Sequence, residues 1–386
     1  MRIAFIKSGL WFEKNISHPE ENMIYSLSQK YKNHSFLRIG STSEGNLKEK
    51  KITDSLSVID IPIFTKYFDW LISKIVILII LLRFKPDLVI ALGDYSVHIP
   101  CSKYRLLRKN TRYLPIMIGG FKESAMNTFM NIILKLCLNI LYPQIKLVPV
   151  ISEDIKDIVV NLCPEILDKT VIYSYPINPS FKPFPSNIYK EKYHHKGYLV
   201  LSHCRIIPRK GLDVLVRAVA NIIKIRKDIL FVIRGPPPGE EGREYLKYLE
   251  KLVIKLNLSE YIKFDVRILE YTELPIYINS ADVYVLPTLD EPLGLSVLEA
   301  LYCNVPVIAS NVGGIPDMVS NEENGLLVNP GDENALTEAI LRVFSDGKLF
   351  EKMKNNARKY TLEHYYQKKP LLTDLVSSFL EEYLEK

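Results

Sequence analysis

Ala281-Asp282-Val283-Tyr284-Val285-Leu286-Pro287, then Thr288-Leu289-Asp290, then Glu291-Pro292-Leu293-Gly294-Leu295-Ser296-Val297-Leu298-Glu299, is the stretch on which the reading of this chain turns. The first run is short, apolar and closed by a proline, which predicts a buried strand. Val305-Pro306-Val307-Ile308-Ala309-Ser310 predicts the next strand, with a helix between them. Glu291 therefore leaves the end of one strand, and Glu299 sits one turn into the helix that follows. Open α/β sheets bind ligands in the crevice outside the carboxyl ends of their strands. Two carboxylates there suit a ligand rich in hydroxyls, because an ionised carboxylate only accepts hydrogen bonds and sugar hydroxyls donate them. The helix amino terminus between them, loosened by Gly294, favours negative charge such as phosphate. Sugar plus phosphate is the chemistry this stretch points to.

Taken singly, Thr288-x-x-Glu291 and Ser296-x-x-Glu299 each fit a capping box, which would reduce both glutamates to helix-start residues. The longer run from Ala281 to Gly331 says more. It continues through Glu299-Ala300-Leu301, Pro306-Val307-Ile308-Ala309-Ser310, Gly313-Gly314, Asn324-Gly325-Leu326-Leu327-Val328 and Pro330-Gly331-Asp332. In that order it resembles the nucleotide-sugar signature of the retaining glycosyltransferases of family 4, whose E-x7-E motif is here Glu291 to Glu299. Upstream, Cys204-Arg205-Ile206-Ile207-Pro208-Arg209-Lys210-Gly211-Leu212 is a strand-to-helix loop. A guanidinium, an ammonium and a helix start make a diphosphate clamp there. In register with the later signature, Arg205 and Lys210 look like the family's Arg/Lys pair. Gly235-Pro236-Pro237-Pro238-Gly239 stands where the family has a Gly-rich turn and is assigned no contact.

The resemblance implies two Rossmann-like doubly wound domains facing across a cleft, the arrangement called GT-B, with the donor held mainly by the second. It implies transfer of a hexosyl-type unit from a nucleotide-diphosphate sugar to an acceptor hydroxyl, with retained anomeric configuration, in glycan, polysaccharide or glycolipid assembly. Glu291 would be the catalytic carboxylate, and Glu299 would bind the ribose. Arg205, Lys210 and the amides around Gly294 and Leu295 would meet the donor's sugar and diphosphate. Fixed cations can do the work of a divalent metal on a departing diphosphate, so neither cofactor nor metal is expected. The acceptor half departs from the pattern. Ser8-Gly9-Leu10-Trp11 and His18-Pro19 lack a Gly-Gly pair, Ile118-Gly119-Gly120 stands where a histidine is usual, and Arg267 replaces a glycine. Alternatives are a nucleotide-sugar epimerase on the same fold and a non-catalytic sugar-nucleotide-binding partner subunit. A nicotinamide-dependent oxidoreductase is excluded by the missing G-x-G-x-x-G, since Gly9 is the only glycine after the first strand.

At 386 residues, 47% hydrophobic and 24% charged, the chain has the length of two ordinary globular domains. Five scattered cysteines with no C-x-x-C pair fit buried free thiols in a reducing compartment. The opening Met1-Arg2-Ile3-Ala4-Phe5-Ile6-Lys7 is too brief for a secretory core, and the apolar run Ile75 to Leu82 is too short to span a bilayer, so the cytoplasm is expected.

Strand and helix periodicities alternate. Strands are predicted at 2–7, 88–92, 113–118, 146–151, 198–203, 229–234, 262–266 and 282–287. Helices are predicted at 19–31, 70–83, 124–141, 153–162, 211–225, 241–256 and 273–280. The expected domains are 1–180 for the acceptor, a Pro-rich linker 181–196, and 197–365 for the nucleotide sugar. An amphipathic helix at 366–386 would return to the first domain.

Charge is uneven. Residues 1–180 hold 23 Lys/Arg and 16 Asp/Glu, while residues 101–150 alone hold eight basic residues against Glu123. Lys103, Arg105, Arg108, Lys109 and Arg112, near the apolar run Phe129 to Tyr142 with Phe129 and Met130, predict a surface for anionic lipid or a lipid-linked acceptor, at the inner face of a membrane. A solvated basic face is the plainer alternative. No nucleic-acid motif accompanies the cluster.

Overall fold

The computed structural model describes residues 1–10, 19–42, 48–62, 67–93, 95–118, 132, 135–136, 139, 145–174 and 177–384. Two compact units divide the chain: Met1–Pro176 with Pro370–Lys386, and Ile177–Lys369. Each is built on a largely parallel sheet, as the sequence pattern requires.

Unit 1 carries β1 (Arg2–Leu10), β2 (Ser35–Thr42), β3 (Lys48–Lys51), β4 (Leu56–Pro62), β5 (Leu88–Gly93), β6 (Arg112–Met117), β7 (Val148–Val150) and β8 (Thr170–Ile172). They lie in the order β3-β4-β2-β1-β5-β6-β7-β8, and among these pairings only β3 against β4 is antiparallel. Ile3 to Ile6 of β1 and Leu88 to Leu92 of β5 are buried, because helices cover central parallel strands and leave no polar face. The helices include α1 (Pro19–Lys30), α2 (Tyr67–Phe84), α3 (Tyr95–Leu107) and α4 (Glu153–Leu162). Ser152 caps α4 by accepting the Ile155 N–H at 3.3 Å, with Glu153 and Asp154 favourably placed in the first turn.

Unit 2 carries β9 (Tyr198–His203), β10 (Ile229–Arg234), β11 (Ile262–Asp265), β12 (Val283–Leu286), β13 (Val307–Ser310) and β14 (Gly325–Val328). All pairings are parallel, in the order β11-β10-β9-β12-β13-β14. Strand order reverses between β9 and β12, which makes their carboxyl ends the switch point of a doubly wound sheet.

Several expectations need correction. Strands β2, β3, β4 and β8 and the helix α3 were not legible in the sequence. The Pro-rich segment is not a free linker but part of unit 2. Phe181 and Tyr189 are fully buried, Ile188–Lys192 is helical, and the Tyr189 hydroxyl donates to Asp265 at 2.8 Å. The terminal helix begins later than expected, at Leu372, because Pro370 interrupts the chain after a π-turn at Leu362–Tyr366. It belongs to unit 1: Lys30 pairs with Glu381 at 2.7 Å, Lys146 with Glu382, and Ser174 bridges to Leu371. Of the helix expected at 124–141, only Ile132, Lys135, Leu136 and Asn139 are described. Among the described residues no helix is long and apolar enough to cross a membrane.

Candidate functional site

The loops leaving β9 and β12 meet at the switch point. Backbone bonds draw them together: Leu289 N–H donates to Arg209 O at 2.8 Å, and the Thr288 hydroxyl reaches Arg209 O at 3.1 Å and Asp290 O at 2.9 Å. Gly211 has a left-handed φ of +59°, and a β-carbon there would overlap Pro287 O. Two adjacent cations on one loop then face two adjacent carboxylates on the other. Arg209 bonds the Asp290 carboxylate at 3.1 Å, and Lys210 pairs with Glu291. Lys210 is 7% exposed, so the second pair is almost desolvated.

Neither of the alternative capping boxes forms. The helix that follows runs Leu295–Tyr302, with Gly294 as its cap in the left-handed region at φ +94°, so Glu291 precedes the helix and Glu299 is its fifth residue. Val297 N–H and Leu298 N–H both bond Gly294 O, leaving the Leu295 and Ser296 N–H groups ahead of the helical ladder. Behind Glu291, the turn after β13 closes in: Gly314 N–H donates to Glu291 O at 3.2 Å, and a β-carbon on Gly313 would overlap that same oxygen. Backbone contact on both sides thus fixes where the Glu291 carboxylate starts.

Glu299 is only 4% exposed and accepts the Tyr271 hydroxyl at 2.9 Å. Burial pushes its pKa up to about 7, and the Tyr271 bond offsets part of that rise. Arg205 is the most exposed of the three cations on the loop after β9. Its side chain is open to solvent, yet partial desolvation and then the neighbouring Arg209 charge lower its pKa, while Glu291 draws it upward. Arg205, Lys210, Glu291, Gly294, Leu295 and Glu299 therefore all lie around the carboxyl ends of β9 and β12.

Sequence reasoning missed three parts of this neighbourhood. Tyr271 has no spacing that ties it to Glu299. Arg209 and Asp290 could have been found, because Arg209-Lys210 and Asp290-Glu291 are complementary pairs on loops that the topology makes neighbours. The third is a buried polar cluster where β9, β10 and β11 end. Arg234 is 2% exposed, contacts His203 Nδ1 at 3.1 Å and lies 5.4 Å above the Tyr277 ring. Burial first, and Arg234 second, lower the His203 pKa to about 3, which keeps the ring neutral. Arg267, the residue in place of a glycine, clasps Asp265 with bonds of 2.7 and 2.6 Å. Burial raises the Asp265 pKa, but Arg267 and Tyr189 outweigh it and hold the carboxyl well below its ordinary range.

Among the described residues no group of three or more His, Cys, Asp or Glu could hold a metal ion. Cys101, Cys163, Cys204 and Cys303 are buried and outside any disulfide, and Cys137 lies outside the described residues. So do Trp11, His18, Gly119, Gly120, Phe129 and Met130. The basic cluster lies elsewhere, in unit 1. Lys103 and Arg105 are on α3, and Arg108, Lys109 and Arg112 follow it, with all but the half-buried Arg105 exposed.

Residues 185–360 match the family described as Glycosyl transferases group 1. That segment of unit 2 is thus similar to group 1 glycosyltransferase domains, and it contains Arg205, Lys210, Glu291 and Glu299. The chain is 30% identical over 224 residues to an uncharacterized glycosyltransferase of Methanocaldococcus jannaschii, covering 56% of this chain and 55% of that protein. It is 32% identical over 174 residues to the GDP-mannose-dependent alpha-(1-6)-phosphatidylinositol monomannoside mannosyltransferase of Mycolicibacterium smegmatis, covering 43% and 44%. The matches thus span about half the length of these relatives. Among solved structures, a sucrose-phosphate synthase from Thermosynechococcus elongatus aligns over 99% of this chain and 98% of its own, with a TM-score of 0.77 and 20% identity. Anabaena HepE in complex with UDP and glucose aligns over 100% and 99%, with a TM-score of 0.71 and 16% identity. Likeness at that identity identifies the fold, which is the GT-B class with two parallel-sheet, Rossmann-like halves.

Proposed function

We propose that this protein transfers a glycosyl unit from a nucleoside-diphosphate sugar to an acceptor hydroxyl, with retention of configuration and without a metal. The observation that carries this reading is the nearly desolvated Lys210–Glu291 pair at the switch point, with Glu291 beside Gly294, the cap of the helix whose first N–H groups stand ahead of the ladder. A single ligand with both phosphate and hydroxyls satisfies that arrangement. Its diphosphate takes Lys210, Arg205 and the helix terminus, and its sugar hydroxyls donate to Glu291. Once Lys210 turns to phosphate, the Glu291 carboxylate is left to face positive charge growing at the reacting sugar carbon. Glu299, one turn deeper, accepts from the ribose hydroxyls. Charge on the departing diphosphate is met by the two cations, and a phosphate oxygen takes the acceptor proton. The acceptor is a glycan or a lipid-linked saccharide, which places the reaction in glycan or glycolipid assembly.

The relative from Mycolicibacterium smegmatis is named for GDP-mannose and the Anabaena protein was solved with UDP, so both bases lead the test. Purified protein is melted with UDP-, GDP-, ADP- and dTDP-sugars. One class raises the melting temperature in proportion to the logarithm of its concentration. Glu291→Gln retains that shift and loses transfer, and EDTA changes neither. No shift with any of these donors defeats the proposal, as does an absolute need for added Mg²⁺. Conversion of donor to an epimer without acceptor would assign an epimerase instead.

A further inference from the structure

We propose that the edge of unit 1 where β5 and β6 begin, closed by the ends of α2 and α3, docks on an anionic lipid bilayer. Three contacts bring the pieces of this surface together. The Tyr104 hydroxyl donates to Pro86 O at 3.3 Å, the Thr111 hydroxyl reaches the same oxygen at 3.4 Å, and Arg112 N–H bonds Asp87 O at 2.9 Å. The end of α2 is thereby fastened to the end of α3 and the turn after it.

Between Leu82 and Arg112 the chain has seven basic residues: Arg83, Lys85, Lys103, Arg105, Arg108, Lys109 and Arg112. The acids in that stretch are Asp87 and Asp94; Asp87 already accepts the Arg2 N–H at 2.7 Å, and Asp94 follows the far end of β5. None of the first six basic residues enters an ion pair among the described residues. Large apolar side chains stand among them: Leu106 is 57% exposed and Leu107 64%. On α2 a stripe of Ile75, Ile79 and Leu82 at helical spacing is also exposed, while Ile77 and Leu81 turn to the core.

A water-facing surface does not need two adjacent exposed leucines, and a nucleic-acid surface gains nothing from aliphatic groups between its cations. A bilayer interface takes both. The leucines and isoleucines enter the headgroup–acyl boundary, and long basic side chains lie along it with their charges at lipid phosphate. Strands of unit 1 begin here and end at the opposite edge, so lipid contact anchors the protein while leaving the carboxyl ends of its strands open.

The test is co-sedimentation of the full chain with vesicles of phosphatidylcholine containing phosphatidylglycerol, and with phosphatidylcholine alone. Binding is expected to the first at low salt, to fade as salt rises, and to be absent from the second. Neutralising one basic residue weakens partitioning about fivefold, so Arg108→Gln/Lys109→Gln costs roughly twenty-fivefold. Leu106→Ser/Leu107→Ser keeps every charge and weakens vesicle binding about tenfold, while retention on a soluble polyanion such as heparin is unchanged. All four side chains are exposed, so both variants should melt with the wild type; Lys103→Gln stands in for the charge variant and Ile79→Ser for the leucine variant if either does not. Absence of binding to anionic vesicles, equal binding to neutral ones, or full binding by either double variant overturns the proposal. Loss of heparin retention along with vesicle binding in the leucine variant also overturns it.

Discussion

Glu299, shut off from solvent with the Tyr271 hydroxyl on its Oε1, keeps its proton to about pH 7 where an ordinary glutamate would release it near 4.5. The folded protein binds this proton more tightly than the unfolded chain. The associated stability is complete below pH 4.5 and is lost as pH rises from 4.5 to about 7. The loss amounts to roughly 3 kcal/mol. Glu299→Gln, which keeps an acceptor for Tyr271, should therefore gain most on the wild type above pH 7, and melting curves across pH check it. Parallel curves for the two proteins would show that Glu299 titrates as an exposed glutamate does. Lys210 and Glu291 make a different experiment. Lys210→Met strands a nearly buried carboxylate and should lower stability by about 3 kcal/mol. Adding Glu291→Gln should restore at least half of that, because the stranded charge is gone. Urea unfolding of the two variants reads this out, and a double variant no more stable than Lys210→Met alone refutes it.

At the scale of turns and strands, the site depends on loops that approach closer than a β-carbon allows. Gly313→Ala drives a methyl into Glu291 O and should cost about 2 kcal/mol or more, together with nucleotide-dependent thermal stabilisation. Gly239→Ala has a similar φ of +63° with open space around it, so it should cost only about 1 kcal/mol of backbone strain and spare binding. Equal losses in both variants would mean that φ alone matters. The same distinction explains what could be read beforehand. β9, β10, β12 and β13 stand out as apolar runs because both faces of a central parallel strand are covered. Glu291 and Glu299 stand out because their spacing is local. β3, Lys48-Glu49-Lys50-Lys51, has no apolar face and is a strand only through pairing with β4. Phe181 and Tyr189 look like parts of a linker until Tyr271, 5.1 Å from Phe181, and Asp265 come back to bury them. The capping-box alternative fails because the left-handed Gly294, not Thr288 or Ser296, starts the helix. Tyr271 acts on Glu299 from a turn 28 residues away, a distance no sequence period marks.

At the scale of the whole chain, unit 1 is discontinuous. Its last helix, Leu372–Leu384, buries Leu372, Val376, Phe379 and Leu380 and ties Glu381 to Lys30 and Tyr31. A chain ending at Lys369 should lose protection from hydrogen exchange in β1 and β5 and keep it in β9 and β12. Unchanged exchange in unit 1 would make the helix an ornament. The exit and re-entry points are also stitched together: Ser174 N–H bonds Pro370 O at 2.9 Å, and Leu372 N–H bonds Ser174 O at 3.1 Å. Unit 2 is thus an insertion between two neighbouring points of unit 1, and this sets an order of events on the ribosome. Ile177 to Lys369 emerges complete while unit 1 still lacks its closing helix, so the later-emerging unit is the first that can finish folding. Once folded, it holds the ends of a long loop close to one another and removes most of the entropy that closing unit 1 would otherwise cost. Unit 2 thereby serves as the template on which unit 1 completes itself.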